Sequence, residues 1–170
     1  MTPVLETERL VLRRLTTGDA PFILELLNDA AFLRQIGDKG VRTEADACRY
    51  IETGPMASYL RHGFGLYRVE LKDGGEPIGM CGLLKRDYLP DVDIGFALLP
   101  RYRSRGYAFE SASAVLAHAR DTLGVARVLA ITSPDNVDSI GLLEGLGFRF
   151  ERMARPAENE AEVKVFSRDA

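Results

Sequence analysis

The sequence contains no tryptophan, only two histidines and only two cysteines among its 170 residues. His62 and His118 are too few for an ordinary zinc centre, and no other ligand spacing indicates a metal site, so we expect none. Cys48 and Cys81 allow at most one disulfide, which excludes a disulfide-rich framework, and we expect reduced thiols in a cytoplasmic protein. No apolar run approaches about 18 residues, which excludes a conventional membrane-spanning helix.

The balance of charges is modest and slightly acidic. The formal net charge is −3, with 28% charged and 46% hydrophobic residues. This composition is typical of a soluble globular domain, and it argues against bulk binding of nucleic acid, which needs a basic surface. The N-terminal residues are charged by Glu6, so we expect no signal peptide. We therefore expect one domain over residues 1–170, without nucleic-acid or membrane partners.

Hydrophobic periodicity and turn signals predict strands and helices in the order β-α-α-β-β-β-α-β-α-β-β. Residues 92–132 are predicted to form a strand, a helix and a second strand, an arrangement that implies a parallel pair. The remaining strands are expected to be antiparallel. The predicted fold class is α/β (α+β), with a mixed, mostly antiparallel central sheet and helices on both faces.

Three local signals mark helix boundaries. Thr43 with Asp46 forms a weak capping box at the start of a helix over residues 44–61. That helix is predicted to be interrupted at Gly54-Pro55, because proline lacks the backbone donor that a helix interior needs. Gly147 is predicted to end the last helix.

The strand over residues 92–98 has one face with small side chains. Alternation places Asp93, Gly95 and Ala97 on one face and the apolar residues on the other. Glycine in a strand interior usually marks a close approach or a bulge, so we expect this face to leave room for a ligand beside a carboxylate. The alternative is an exposed face with a solvated aspartate.

The stretch "RYRSRGYAFESA" places Arg101, Arg103 and Arg105 where the next helix begins. Cations are unfavourable at a helix N-terminus unless an anion lies among them. The first helical N–H groups lack intrahelical partners, and Gly106 leaves the backbone accessible, so the turn is a candidate phosphate site. The alternative is a solvated basic turn in which Glu110 neutralises one arginine.

Asn136 begins the helix that follows the second parallel strand. It is either an ordinary N-cap or a hydrogen-bonding partner for a ligand that lies between the two parallel strands. Other phosphate-binding patterns fail: the chain has no G-x-x-x-x-G-K-[ST] segment, and "GFGLYR" lacks the third glycine of a dinucleotide fingerprint.

Four segments together resemble the GNAT superfamily of acetyl-CoA-dependent N-acetyltransferases. They are "ETERLVLRRLTTGDA", "IGMCGLL", "DVDIGFALLPRYRSRGYAFESA" and "NVDSIGLLEGLGF", which follow the family's order over about residues 6 to 150. The likeness is strongest to the branch of ribosomal-protein N-terminal acetyltransferases. It implies the GNAT fold, with one parallel strand pair that splays apart, and acetyl-CoA as co-substrate.

The resemblance also implies a set of cofactor-binding residues. The family's Q/R-x-x-G-x-G/A loop, which holds the pyrophosphate, matches Arg103, Gly106 and Ala108 and is completed by Ser104, Arg105, Tyr107 and Phe109. The strand end that pairs with the pantetheine arm matches Phe96, Ala97 and Leu98. Asn136 matches a family asparagine that contacts the same arm.

The chemistry of acetyl transfer requires a neutral amine, so a base must take its proton. Asp93 matches a strand carboxylate of several family members and is the candidate base. A backbone N–H near Leu98 is a candidate for polarising the thioester carbonyl. The family's general-acid tyrosine corresponds here to Leu143, so Ser139, an ordinary helix residue in the simpler interpretation, is a possible substitute. Tyr67, Tyr88 and Tyr107 are further candidates.

The resulting hypothesis is an N-acetyltransferase that transfers an acetyl group to a primary amine by direct attack through a tetrahedral intermediate. The acceptor is a protein N-terminus or a small amine, and residues 44–61, the Tyr88-Leu89-Pro90 turn and the C-terminal hairpin are expected to shape its pocket. The alternative is a non-catalytic acyl-CoA sensor or scaffold. Exposed strand edges make a homodimer plausible.

Overall fold

The computed structural model describes residues 2–170 and contains an eight-stranded mixed sheet with six α-helices around it. The strands, in chain order, are β1 Leu5–Glu6, β2 Leu10–Arg14, β3 Leu66–Leu71, β4 Pro77–Leu84, β5 Asp93–Leu98, β6 Arg127–Thr132, β7 Arg149–Ala154 and β8 Val163–Asp169. The helices are α1 Ala20–Leu27, α2 Ala30–Gln35, α3 Glu44–Ile51, α4 Ala57–His62, α5 Tyr107–Asp121 and α6 Val137–Gly145. Their spatial order in the sheet is β1-β2-β3-β4-β5-β6-β8-β7.

The predicted fold class is confirmed, with two short elements that the sequence pattern missed. These are β1, which has two residues, and α2, which has six. Neither is long enough to show a clear period, so pattern reasoning assigned them to connections. Of the helices described over residues 2–170, none is long and apolar enough to cross a membrane.

The predicted boundaries of α3 and α6 are confirmed by their hydrogen bonds. Thr43 accepts from the Asp46 backbone N–H, and Asp46 in turn accepts from that of Thr43, which is a complete capping box. The interruption at Pro55 is a π-helical turn over Glu52–Met56, which separates α3 from α4. Gly147 has a φ of 89° and ends α6, where its N–H donates to the Glu144 carbonyl.

Helices cover both faces of the sheet. Arg13 and Arg68 are cross-strand neighbours on one face, where their guanidinium groups lie 3.0 and 2.7 Å from Asp19 at the start of α1. Cys81 pairs with the residue before Arg68 and so points to the opposite face, where it contacts Ser111 of α5. The sheet is thus enclosed between the N-terminal helices and α5.

The parallel pair, β5 and β6, is joined at one register position. Asp93 lies opposite Leu129, and the Leu129 N–H donates to the Val92 carbonyl at 2.9 Å. Beyond this point β5 and β6 have no further paired residues, although each continues for several residues. The two strands therefore form a V that is closed at Asp93 and open towards Leu98.

Candidate active site

The open edge of β5 carries backbone groups that face the gap between the parallel strands. The Leu99 N–H donates to the Ile78 carbonyl of β4 at 2.8 Å. Because hydrogen-bonding direction alternates along a strand, the N–H groups of Phe96 and Leu98 point the other way, towards β6. Since β6 has separated there, these N–H groups are available to an extended ligand that pairs like an additional strand.

The turn between β5 and α5 presents a concave row of N–H groups. Ser104 has a φ of 61° and Gly106 a φ of 83°, so two residues of the turn are left-handed, whereas Arg103 before them is extended. Left-handed residues in a turn direct neighbouring N–H groups to one side and favour an anion-binding nest, and we refer to the N–H groups of residues 104–109 as the nest. Within residues 2–170, no acceptor receives a hydrogen bond from the N–H groups of residues 104–109. A serine in the left-handed region is strained, and such strain is typical of functional sites.

Two of the three arginines in this turn are neutralised by carboxylates from the helices that precede them in the chain. Arg101 lies 3.1 Å from Glu25, and Arg103 lies 2.5 Å from Asp29 while also donating to the Leu98 carbonyl at 2.9 Å. The Arg103 side chain therefore braces the end of β5. Arg105 is exposed and has no side-chain partner in the part of the chain that the structure describes. It is the cation of the turn that faces outward.

The alternative interpretation, a solvated basic turn in which Glu110 neutralises one of its arginines, is wrong about Glu110. Its carboxylate accepts from Arg9, at 2.7 Å from Nε and 2.9 Å from the backbone N–H, and from Thr7. The Arg9 guanidinium also donates to the Arg105 carbonyl at 3.0 Å and lies over the Tyr107 ring at 4.4 Å. Arg9 therefore supports the turn from the residue just before β2, a role that its sequence context does not indicate.

Asp93 lies at the closed end of the V and is fully buried. Both carboxylate oxygens accept from Nε of Arg86, at 3.0 and 3.2 Å. Burial raises the pKa of Asp93 to about 6, although Arg86 opposes the increase. The alternative interpretation of an exposed face with a solvated aspartate is therefore wrong. A carboxylate with a pKa of about 6 remains largely ionised at neutral pH.

The predicted free space beside Gly95 is also wrong. A Cβ atom at Gly95 would lie 2.9 Å from Leu84 Cδ1 and 3.4 Å from Leu66 Cδ2, so two leucine side chains occupy the space. Gly95 is needed for packing within the sheet. Ala97, one pleat further along the same face, is partly exposed.

The structure places Asn136 as the N-cap of α6. Its Oδ1 accepts from the Ser139 backbone N–H at 3.2 Å, and this leaves its Nδ2 without a partner among the described residues. Ser139 is partly exposed in the first turn of the same helix. Phe109 of α5 lies against α6, with its ring 3.9 Å from the position of a Cβ at Gly145.

Of the candidate tyrosines, only Tyr88 lies beside Asp93. Tyr67 is buried in a stack with Tyr59, and Tyr107 lies under Arg9. The Tyr88 ring packs in a small apolar cluster over β6 and β8 that includes Ile131. Its hydroxyl oxygen is buried and has no hydrogen-bond partner in the described chain. Leu143, at the family's tyrosine position, is fully buried.

These features fit acetyl-CoA as a ligand. The nest and Arg105 match the charge and size of a pyrophosphate, and the open β5 edge matches the amide-bearing pantetheine arm. The two lie in sequence along the chain, with only Leu99, the short 3-10 turn Pro100–Tyr102 and Arg103 between the strand and the nest. No three histidine, cysteine, aspartate or glutamate side chains within residues 2–170 are grouped so as to hold a metal ion.

Comparison with known proteins agrees with this geometry. The family model described as an acetyltransferase (GNAT) domain matches residues 9–149 of the chain. The chain belongs to the GNAT acetyltransferase family. The family assignment makes it an acetyltransferase.

Relatives and solved structures cover nearly the whole GNAT chain. The uncharacterized N-acetyltransferase YoaA of Bacillus subtilis strain 168 is 30% identical over 157 residues, which are 91% of this chain and 88% of YoaA. An acetyltransferase structure from Agrobacterium tumefaciens strain C58 has a TM-score of 0.81 at 25% identity and covers 99% and 95% of the two chains. RimL, a ribosomal L7/L12 alpha-N-protein acetyltransferase solved with coenzyme A, shares the fold with a TM-score of 0.85 at 17% identity, over 99% and 98%.

Proposed function

We propose that this GNAT protein transfers an acetyl group from acetyl-CoA to a primary amine by direct attack, with a protein N-terminus or a small amine as acceptor. The observation that carries the proposal is the continuity of the open β5 edge with the unpartnered N–H nest of residues 104–109. Acetyl-CoA supplies the activated acetyl group as a thioester. A protein N-terminus is proposed because RimL, a ribosomal L7/L12 alpha-N-protein acetyltransferase, shares the fold.

The chain's own groups would hold the co-substrate at three places. The backbone N–H groups of residues 104–109 and the Arg105 guanidinium would bind the pyrophosphate. Residues Phe96, Ala97 and Leu98 would pair with the pantetheine arm, and the free Nδ2 of Asn136 would donate to it from the opposite side of the gap. The Leu98 N–H, which faces the gap, would donate to the acetyl carbonyl.

Asp93 is the proposed base. Its pKa of about 6 leaves the carboxylate ionised at neutral pH. Because this pKa lies close to 7, the carboxylate is a stronger base than an ordinary aspartate and can accept a proton from the ammonium group of the acceptor through water. Because Asp93 is fully buried and bound by Arg86, a water molecule must carry the proton to it. Ser139, at the exposed start of α6, is the proposed donor to the departing thiolate.

Calorimetric titration with acetyl-CoA tests the cofactor part of the proposal. A Gly106→Glu variant places a negative charge in the nest, and we expect it to abolish the micromolar binding of the wild type. Gly124→Glu is the matched control, because Gly124 also has a positive φ, of 67°, but has no atom within 4 Å of a Cβ. Equal binding by both variants, or no binding by the wild type, would refute the proposed site.

Acetyl transfer is then measured as release of the coenzyme A thiol in a screen of amines and N-terminal peptides. An Asp93→Asn variant should retain acetyl-CoA binding and lose turnover, because an amide does not accept the amine's proton. Retained turnover would remove Asp93 from the role of base. Binding without turnover by the wild type on every amine would support a sensor or scaffold instead.

A further inference from the structure

Arg86 presents an unoccupied hydrogen-bonding edge. Only its Nε binds Asp93, and neither terminal NH2 group has an acceptor among residues 2–170. The Arg86 side chain is 34% exposed, whereas that of Asp93 is 1% exposed. The guanidinium is therefore held from the interior while its outer edge faces solvent. Such an edge binds a carboxylate through two parallel hydrogen bonds.

Two other donors that have no hydrogen-bond partner among residues 2–170 lie within electrostatic range of Arg86. Lys39, in the loop after α2, is exposed and has no ion-pair or hydrogen-bond partner in the described chain. Although Lys39 is exposed as a residue, desolvation by the protein atoms around it lowers its pKa, and the charge of Arg86 lowers the pKa further. The Tyr88 hydroxyl is buried and has no hydrogen-bond partner among residues 2–170. The charges of both Arg86 and Asp93 act on it. All three groups donate hydrogen bonds, so their common ligand must accept them.

The segments that carry these donors are fixed by contacts of their own. Lys85 Nζ donates to the carbonyls of Arg86 and Leu89, at 3.0 and 2.9 Å, and so holds the connection between β4 and β5. Leu89 is 2% exposed and packs on Leu129. Ser133, at the end of β6, donates to the Gln35 carbonyl at 2.9 Å and ties α2 beside the gap. The donors are thus largely positioned before a ligand binds.

The charges around these three donors favour an anion. Asp93 is committed to Nε of Arg86, and Tyr50 contributes a neutral phenol whose pKa is raised by burial. Glu160, in the connection between β7 and β8, is the carboxylate that acts on both Lys39 and Tyr88, and Arg152 acts on Tyr88 but lies 3.8 Å from Glu151. The charges within each of the pairs Arg86–Asp93 and Arg152–Glu151 balance each other, and Lys85 is a further cation that acts on Asp93. Lys39 and Lys85 then face the single carboxylate of Glu160, so a second carboxylate would be attracted rather than repelled.

We propose that Arg86, Lys39 and Tyr88 form a carboxylate-binding subsite for the acceptor, so that the enzyme selects amines that carry a carboxylate. The inference rests on the proposed acetyltransferase function and assigns its substrate class. An amino acid or a peptide with acidic residues near its N-terminus supplies this chemistry. Arg86 would bind the carboxylate bidentately, with Lys39 and Tyr88 donating beside it.

Two pairs of acceptors test the subsite and distinguish its sources. Serine is compared with serinamide, and the peptide Ser-Asp-Asp-Ala with Ser-Asn-Asn-Ala, the peptides carrying amidated C-termini. We expect the carboxylate form of at least one pair to have a kcat/KM higher by about 10-fold or more, the value of one charged hydrogen-bonded contact. Preference in the first pair indicates an amino acid, and preference in the second an acidic peptide.

Variants assign the preference to the residues. Arg86→Lys keeps the positive charge but loses the planar guanidinium group, and it should reduce the preference for the carboxylate acceptors most. Lys39→Gln and Tyr88→Phe should each reduce this preference several-fold. Both variants should change kcat/KM for the neutral acceptors less than kcat/KM for the carboxylate acceptors. Arg120→Lys is the control, because Arg120 is exposed on α5 and pairs with Asp121. An unchanged preference for the carboxylate acceptors in Arg86→Lys would overturn the subsite. The absence of this preference from both acceptor pairs in the wild type would also overturn it.

Direct binding separates failure of the subsite from failure of the proposed function. The N-acetylated forms of the same four compounds are titrated into protein saturated with coenzyme A. Carboxylate forms that bind no better than their amides overturn the subsite even where no acceptor is turned over. If the wild type does not bind coenzyme A at all, by contrast, the result contradicts the proposed function.

Discussion

The buried Asp93 carboxylate should make the wild type less stable than an Asp93→Asn variant at neutral pH. Its pKa is about 6 in the folded protein against an ordinary value of 3.8. A pKa difference of one between the folded and unfolded protein corresponds to about 1.4 kcal/mol. Ionisation of Asp93 therefore lowers the free energy of unfolding by about 3 kcal/mol, even with Arg86 in contact. Asparagine has the same shape, still accepts a hydrogen bond from Arg86 and carries no charge. We expect a gain of up to about 3 kcal/mol at pH 7.5.

The sign of the pH dependence distinguishes this explanation from a general packing effect. Because the folded pKa lies above the unfolded one, the folded protein holds the proton more tightly. The contribution of the Asp93 carboxyl group to the free energy of unfolding of the wild type is fully present below the pKa of the unfolded state. This contribution is lost as the pH rises through the folded pKa of about 6. The advantage of Asp93→Asn should therefore shrink as the pH falls from 6 towards 4.

Urea denaturation at several pH values measures this difference. Asp91→Asn is the control, because Asp91 is 39% exposed and lies 3.9 Å from Arg127, so its charge is solvated. We expect the control to remain close to the wild type at every pH. An Asp93→Asn variant that is less stable than the wild type at pH 7.5, or one whose gain is the same at pH 4.5, would refute the reasoning.

Two further predictions concern the same site. In a pH profile of kcat/KM, Arg86→Gln should move the rising limb to higher pH, since Arg86 lowers the pKa of Asp93; an unmoved limb would show that Asp93 is not the titrating base. Leu143→Tyr, which restores the family's tyrosine, should destabilise the protein by about 1–3 kcal/mol in urea denaturation, because Leu143 is fully buried. A rise in turnover without loss of stability would contradict that expectation.

The elements that the sequence predicts correctly are specified by local chemistry. The Thr43 capping box, the interruption at Pro55 and the end of α6 at Gly147 each depend on residues within one helical turn. The parallel β5–β6 pair is predictable for a similar reason, because a strand-helix-strand segment of this length leaves few connections. Local patterns therefore position the nest and the gap without knowledge of any distant contact.

The side-chain partners of the site are long-range and were not predictable in this way. Arg103 and Asp29 are 74 residues apart, and Arg9 and Glu110 are 101 apart. Surface-type charges such as these have many possible partners in the sequence, and only the folded chain selects among them. The same limit explains why the space beside Gly95 was misjudged, since the leucines that fill it come from two other strands.

The corrected partners change how the basic turn is understood. A turn with three free arginines would attract any polyanion, including nucleic acid. With Arg101 and Arg103 held by Glu25 and Asp29, Arg105 is the cation of the turn that lacks a side-chain partner among residues 2–170, and it lies beside a row of backbone donors. Backbone donors fix the position of a ligand more narrowly than mobile side chains do. The two ion pairs therefore favour a single, compact anionic group at a fixed distance from the end of β5, as a pyrophosphate followed by a pantetheine arm requires.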